Sequence, residues 1–241
     1  MKQLLIYNNA TPVTREQHGK YSLKAGNFEF ARETNSVPVV TQEFGLLAMT
    51  YAIVFGQAAD GFIPAAILGV RDKENLYVAA DGSWSASYIP AFVRRYPFVF
   101  GTNQDTPDTM TLMVDDSFPG FNKSGKGEML FDADGEQTAY LKNMLAFLSE
   151  YQGQTQVTIG FTKTLSDLGL LEGAEAHLPA PSDPDRRLSG FLVVNREKLR
   201  ALPADKVAEL NASGALELIH LHLFSLLNLS RLQEKTGAPA A

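Results

Sequence analysis

Residues 83 to 98 constrain the fold more than any other stretch. They read Ser83-Trp84-Ser85-Ala86-Ser87-Tyr88-Ile89-Pro90-Ala91-Phe92-Val93-Arg94-Arg95-Tyr96-Pro97-Phe98 and hold the chain's only tryptophan. A solvated or disordered linker has little use for so many aromatics. The segment therefore forms either the core of the fold or the rim of a site. Pro90 suits the first turn of a helix, where its missing N–H costs nothing. Pro97 turns Tyr96 out of helical geometry. Residues 91 to 95 are thus predicted as one or two helical turns closed by proline at both ends.

An apolar turn of that kind points at least one of Arg94 and Arg95 inward. A buried guanidinium requires a carboxylate or a ligand anion. Glu43 is the candidate partner. It lies on a predicted helix over residues 41 to 51, where Phe44, Leu47, Ala48 and Tyr51 recur at helical spacing. An internal Glu43–Arg95 pair, or Glu43–Arg94 if the turn is rotated by one residue, is the structural reading. A ligand clamp with Trp84 and Tyr88 as its aromatic wall is the functional one, since structural ion pairs and binding sites leave the same signature.

The remaining elements follow from periodicity and turn chemistry. Residues 4 to 7, 21 to 23 and 28 to 30 read as short strands. Residues 53 to 55 read as a buried strand, and residues 65 to 78 as a hairpin around the charged loop at 71 to 75. Residues 98 to 100 and 109 to 114 are further strands. The polar, glycine-rich segment from Asp115 to Gly127 divides a β-rich half, residues 1 to 120, from a mainly helical half, residues 128 to 241. In the second half, Asp134 with Gln137 reads as a helix cap. Tyr140, Met144, Leu148 and Tyr151 form an amphipathic stripe interrupted at Gly153. Residues 154 to 168 fit strand and helix spacing alike, and helix, ended by Gly169, is favoured. Residues 174 to 178 and 190 to 194 read as strands. Residues 197 to 202, 204 to 210 and 215 to 232 read as helices. The expectation is an α+β protein, one domain over residues 1 to 241, with the β-rich half packed against the helical half.

Composition narrows the function. A net charge of -6 and a pI near 5.3 exclude a general nucleic-acid or anionic-membrane binder. With no cysteine, disulfides, thiolate catalysis and zinc ribbons are excluded. No stretch reaches the roughly 20 apolar residues of a membrane span. The first apolar run is too short for a secretory signal. A cytoplasmic protein without a membrane span is expected.

Several motifs approach a chemistry and stop short. Residues 120 to 127 nearly spell a phosphate-binding loop, but Gly127 stands where Ser or Thr must hold magnesium, and no helix is expected directly after it. Asp132-Ala133-Asp134-Gly135 lacks the further ligands of a calcium loop. His220 and His222 fall on opposite sides of a predicted helix, whereas helical metal pairs are spaced by three or four. Core histidines with hydrogen-bond partners are the plainer reading. No nucleophile-elbow Gly-x-Ser-x-Gly is present. Neither a metal site nor a cofactor is expected.

Larger blocks of the sequence carry a resemblance. They are Val37-Pro38, Glu43-Phe44, Ile53-Val54-Phe55, Leu68-Gly69-Val70-Arg71, Glu74-Asn75-Leu76-Tyr77-Val78 and Asp81-Gly82-Ser83-Trp84. The run from Tyr88 to Phe98 is the most specific. Later pieces are Gly127-Glu128-Met129-Leu130-Phe131-Asp132, Gly190-Phe191, Gly214-Ala215-Leu216, and His222, Ser225 and Asn228. In these the chain resembles the SapC family of soluble bacterial proteins. It departs at Tyr51-Ala52, where relatives tend to have Tyr-Pro. The resemblance implies a non-enzymatic accessory or binding protein linked to envelope transport or surface-layer export. Its protein partners would belong to uptake or modification machinery. Relatives tend to be encoded near outer-membrane receptors, flavin-dependent halogenases and cupin-like oxygenases. The alternative is an enzyme, or an enzyme's partner, acting on a small metabolite or peptide at the Trp84, Arg94 and Arg95 cluster.

Overall fold

The computed structural model describes residues 5–103, 106–181 and 183–237. The N-terminal half contributes β1 (Ala10–Pro12), α1 (Arg15–His18), β2 (Ser22–Leu23), β3 (Ser36–Pro38), α2 (Phe44–Leu47), β4 (Ile53–Ala58), β5 (Gly61–Ile67), α3 (Ala91–Arg94), β6 (Phe98–Asn103) and β7 (Thr106–Asp115). The short strands β8 (Phe121–Asn122) and β9 (Glu128–Met129) follow. The second half begins with the long helix α4 (Ala139–Asp167) and the hairpin β10 (Leu171–His177) and β11 (Arg187–Val194). It ends in α5 (Arg196–Arg200), α6 (Ala204–Ala212), α7 (Ala215–Ser225) and α8 (Asn228–Gly237). Sheets dominate the first half and helices the second, an α+β fold.

The main sheet has the order β10-β11-β4-β5-β3 and is antiparallel throughout. The two strands at one edge, β10 and β11, come from the C-terminal half, which ties the two halves through backbone pairing as well as packing. Ile53, Val54 and Phe55 are all buried, as a continuous apolar run predicts for an interior strand. Phe55 meets Phe161 of α4 and the His222 ring of α7. A second sheet has the order β1-β7-β6, and β8-β2-β9 make a third.

Several local readings are corrected. Residues 29 to 31 form a 3-10 turn rather than a strand, with Phe30 stacked 4.1 Å from Tyr96. The turn of the 53–67 hairpin lies at Ala59-Asp60, so β5 pairs backward with β4 instead of forward with residues 76 to 78. The expected strand at 4 to 7 lies partly outside the described residues, and Leu5 to Tyr7 form no strand. Helix α4 is capped by Thr138, whose hydroxyl accepts from Leu141 N–H, not by Asp134. Asp132 instead closes its own turn on the N–H groups of Asp134 and Glu136. The helix runs unbroken through Gly153. Thr155, Thr158 and Thr164 return their hydroxyls to the carbonyls four residues earlier, within the helix. The expected final helix breaks at Leu226-Leu227 into α7 and α8. The near-phosphate loop is organised by Asn122. Its side-chain oxygen accepts from Ser124 and Lys126 N–H, and its amide donates to Ser22, Gly120 and Lys126 carbonyls.

Helix α7 fastens the sheet with His222 and Ser225, and Asn228 at the start of α8 extends the contact to the segment before β4. The register Leu192–Phe55 places Val194 across from Ile53. There the two strands are bridged by an imidazole. Val194 N–H donates to His222 Nε2 at 3.1 Å, and His222 Nδ1 donates to the Ile53 carbonyl at 2.9 Å. Ile53 N–H in turn donates to Ser225 Oγ at 2.9 Å. One turn later, the Asn228 amide donates to the carbonyls of Ala48 and Tyr51. Both ring nitrogens of His222 are used, one as donor and one as acceptor, so the ring must be neutral. Burial pushes its pKa down to about 4, against the opposing bond to Ile53.

Among the described residues, no single helix is long and apolar enough to cross a membrane.

Candidate functional site

The central segment meets helix α4 across a cleft of about 380 Å³. One wall is built from Val40, Gln42, Glu43 and Leu46, with Tyr88, Ala91 and Arg94 beside them; Phe147, Glu150, Tyr151 and Gln154 of α4 face them. A wider depression between the β4–β5 turn and α4 is lined mainly by apolar groups. Asp60, Phe62 and Lys163 are among its lining residues, and none of the five candidate residues is.

Glu43 is 5% exposed, and its expected partner is replaced by something else. One oxygen accepts Ala91 N–H at 2.7 Å and Tyr88 hydroxyl at 2.9 Å. The other accepts Val40 N–H at 3.2 Å. The cause is Pro90. It occupies the cap position of α3 and has no side-chain acceptor, so the first free N–H of that helix needs one from elsewhere. Glu43 supplies it from the neighbouring turn, where the helix end also favours negative charge. Among the described residues, neither Arg94 nor Arg95 forms an ion pair. The expected Glu43–Arg95 and Glu43–Arg94 pairs are therefore absent.

The two arginines go separate ways. Arg95 is half-buried, with its guanidinium 4.3 Å from the Phe92 ring centre, 5.1 Å from Tyr151 and 5.6 Å from Tyr7. Its Nε is buried without a hydrogen-bond partner. The aromatic faces replace a carboxylate here, since their negative faces attract a cation. Arg94 is exposed. It donates from Nε to the Ile89 carbonyl at 2.9 Å and from Nη2 to the Tyr88 hydroxyl at 3.2 Å. It stacks over Tyr88 and Phe147 at 5.4 and 5.0 Å. Tyr88 thus hands its proton to Glu43 and accepts one from Arg94. Its hydroxyl pKa is pushed up to about 12, by desolvation first and by the Glu43 carboxylate second.

Trp84 lies away from the cleft. Its ring stacks on Tyr77 at 6.1 Å and meets Phe28 edge-on at 5.6 Å. Its Nε1 donates to the Tyr51 hydroxyl at 2.8 Å, and that hydroxyl donates to the Tyr88 carbonyl at 2.5 Å. The tryptophan thus buttresses the strip that carries Tyr88 and does not line the cleft. Of the five candidate residues, Glu43, Tyr88 and Arg94 come together, Arg95 stands behind Tyr151, and Trp84 stands behind Tyr51.

The family model SapC matches residues 13–232. The chain belongs to the SapC family. Comparison with curated proteins finds no match, and comparison with solved structures finds none either. Every element of the cleft in this SapC chain lies inside the matched span.

Three further ionisable groups of the SapC chain, Asp115, His18 and His220, bond to its own backbone and neighbouring side chains. Asp115 accepts Asn8, Asn9 and Ser117 N–H and the Ser117 hydroxyl. Desolvation raises its pKa, but the Ser117 hydroxyl and these N–H groups outweigh it and hold the carboxyl below its usual range. The buried His18 accepts Thr14 N–H on Nδ1 and reaches Asp116 through Nε2 at 3.0 Å. His220 bonds its own helix carbonyl, Leu216. Among the described residues, no three His, Asp or Glu side chains converge as a metal set.

Sequence reasoning missed the α4 wall of the cleft. Phe147, Glu150 and Tyr151 are 53 or more positions from Arg94, and no local pattern links them. The stripe through Tyr140 and Tyr151 signalled a helix face that meets something, but not what it meets.

Proposed function

We propose that this protein is a non-enzymatic accessory that docks a protein partner of envelope transport or surface-layer export machinery. One observation carries the reading. Leu46 and Met49, in and just after α2, are 48% and 57% exposed, and Phe224 and Leu227, at the end of α7, are 59% and 67% exposed. The two elements are in contact. Asn228, next to Leu227, bonds the Ala48 carbonyl beside Met49, and Arg231 bonds the Met49 carbonyl. Four large exposed apolar side chains therefore lie on or next to two elements that touch. Single exposed apolar residues are ordinary, whereas a group of this kind marks an interaction surface. The choice of machinery comes from the family. The buried Glu43, Asp115, His18 and His222 support the same reading, because backbone groups and neighbouring side chains occupy their lone pairs and protons.

The test is site-specific photo-crosslinking in the native host. A photoreactive residue replaces Leu227, and a second version replaces Lys198 on α5 as the control. The expected result is a discrete adduct with one transport or surface-layer component from position 227 only, lost on Met49→Glu or Phe224→Glu. Equal labelling from both positions, or turnover of a small substrate that depends on Arg94, would overturn the reading.

A further inference from the structure

The cleft holds a charge arrangement that the fold does not use. Arg94 and Glu150 line the same space. Among the described residues they form no ion pair with each other or with any other group. Arg94 is fixed by neutral partners alone: the Ile89 carbonyl, the Tyr88 hydroxyl and two aromatic faces. Its position is set while its charge stays unneutralised, and Nη1 makes no hydrogen bond among the described residues. Glu150 is exposed and receives only a 3.4 Å contact from the Gln42 amide. Val40, Leu46, Ala91 and Phe147 line the same space.

This layout discriminates among ligands by charge. A simple anion drawn to Arg94 would also meet the carboxylates of Glu43 and Glu150. A simple cation drawn to Glu150 would meet Arg94. A ligand with one charge of each sign, separated by a short scaffold, satisfies both walls. Arginine's planar fork favours a carboxylate as the negative end. The Glu150 carboxylate, which carries no ion pair among the described residues, favours an ammonium as the positive end. We propose that the cleft binds a zwitterion with an apolar side chain, an α-amino acid or a short peptide. Its carboxylate sits on Arg94, its ammonium faces Glu150, and its side chain rests against Val40, Leu46 and Phe147. The volume fits, since small-molecule sites start at roughly 300 Å³. Leu46 sits both on this rim and in the apolar group at the α2–α7 junction, but the proposal does not rest on protein docking there.

Free amino acid and peptide differ in the distance between their charges, about 3.3–3.6 Å more for each extended residue. Isothermal titration of the full chain with leucine, leucyl-leucine and trileucine separates them. N-acetyl-leucine and leucine amide, or the capped forms of whichever peptide binds best, remove one charge at a time. The expected result is saturable binding of at least one zwitterion, weakened about 10-fold or more by either cap, since a charged hydrogen bond contributes about 1.5–3 kcal/mol. Arg94→Met and Glu150→Gln are each expected to weaken it similarly. Glu150→Gln is isosteric and exposed, so its melting temperature stays that of the parent. Crosslinking from position 227 is expected to survive Glu150→Gln, which separates this site from the docking surface. Absence of binding by all three at roughly 10 mM, a level that reveals even millimolar affinity, overturns the proposal. So does equal binding of the capped forms.

Discussion

His222 and Arg94 are both polar side chains set among aromatics, and they are treated in opposite ways. Both His222 nitrogens are spent on backbone, and the Ile53 N–H left over goes to Ser225. The group is 0% exposed and fully satisfied. Arg94 is held by two hydrogen bonds and two rings, yet part of its fork faces the cleft with no direct ion pair among the described residues. The difference separates a structural polar group from a recognition group. A buried polar group is tolerated when all its bonds are made. A side chain held rigid with donors to spare is pre-organised for a ligand, because the entropy of fixing it is already paid.

The comparison breaks most visibly at His222. His222→Ala leaves Val194 N–H and the Ile53 carbonyl unpaired between strands and opens a cavity against Phe55. The expected loss is about 4 kcal/mol, from two orphaned buried groups and the void. Urea melts measure it. A loss under about 1 kcal/mol would mean that the strands close directly on each other, and that the imidazole is only a filler.

Acid should act on the same point. The His222 pKa is lowered in the folded chain, to about 4, from the ordinary value near 6.5. A histidine held neutral stabilises the fold above its unfolded pKa. That stabilisation is lost as pH falls from about 6.5 through the folded value. Between pH 7 and pH 4.5 the loss should be about 2.5 kcal/mol. Asp115, also lowered, contributes stability that is present above its unfolded pKa and is lost as pH falls from the ordinary carboxylate range toward its lower folded value, so most of that loss lies below this window. The sharper check is the slope. Stability against pH should steepen below pH 6.5 in the parent chain and flatten in His222→Asn. Parallel slopes would place the titrating group elsewhere.

Removing Glu43 should cost slightly less than removing His222. Glu43→Ala strands Val40 and Ala91 N–H, both buried, together with the half-exposed Tyr88 hydroxyl. The expected loss is about 3 kcal/mol. Glu43→Gln should cost about 2 kcal/mol, because its amide nitrogen meets at least one of these donors head-on. A melt in which Gln behaves like Glu would show that the N–H groups find another acceptor.

These magnitudes show what the sequence could and could not disclose. The short turn between Pro90 and Pro97 was legible because proline constrains backbone locally. So was the burial of Phe44, Leu47, Ile53 and Phe55, because periodicity reports a covered face. Glu43 was legible as a buried charge in need of partners, but its partners were not. The missing fact was that Pro90 deprives α3 of a cap, which shows only when the two turns are side by side. Helix α4 posed the reverse problem. Gly153 and the alternating Val157, Ile159 and Phe161 argued locally for a break. Packing of Phe161 against Phe44 and Phe55, with Thr158 bonded to Thr41 N–H, overrode that preference. The bridge at His222 needs the β4–β11 register, which no local pattern carries.

The smallest expected effect bears directly on the cleft. A Glu43–Arg95 ion pair would couple the two residues strongly, because losing one partner strands the other at about 3–5 kcal/mol. In the structure Glu43 answers to N–H groups and Arg95 to the rings of Phe92, Tyr151 and Tyr7. Arg95→Met gives up cation–π attraction, about 0.5–1 kcal/mol at each well-placed ring. It also removes a buried Nε that has no partner, which offsets part of that loss. The net change should stay within about 1 kcal/mol. A double-mutant cycle of Glu43→Gln and Arg95→Met should then show a coupling below about 0.5 kcal/mol, the level expected of residues with no shared bond. Coupling above about 2 kcal/mol would mean that the carboxylate reaches Arg95 in solution. Glu43 would then leave the N–H of Ala91 uncapped, and Tyr88 would lose the acceptor that holds it against Arg94. The zwitterion cleft would lose its fixed cation by the same movement, so the same titrations with leucine and its peptides should fail in step with that coupling.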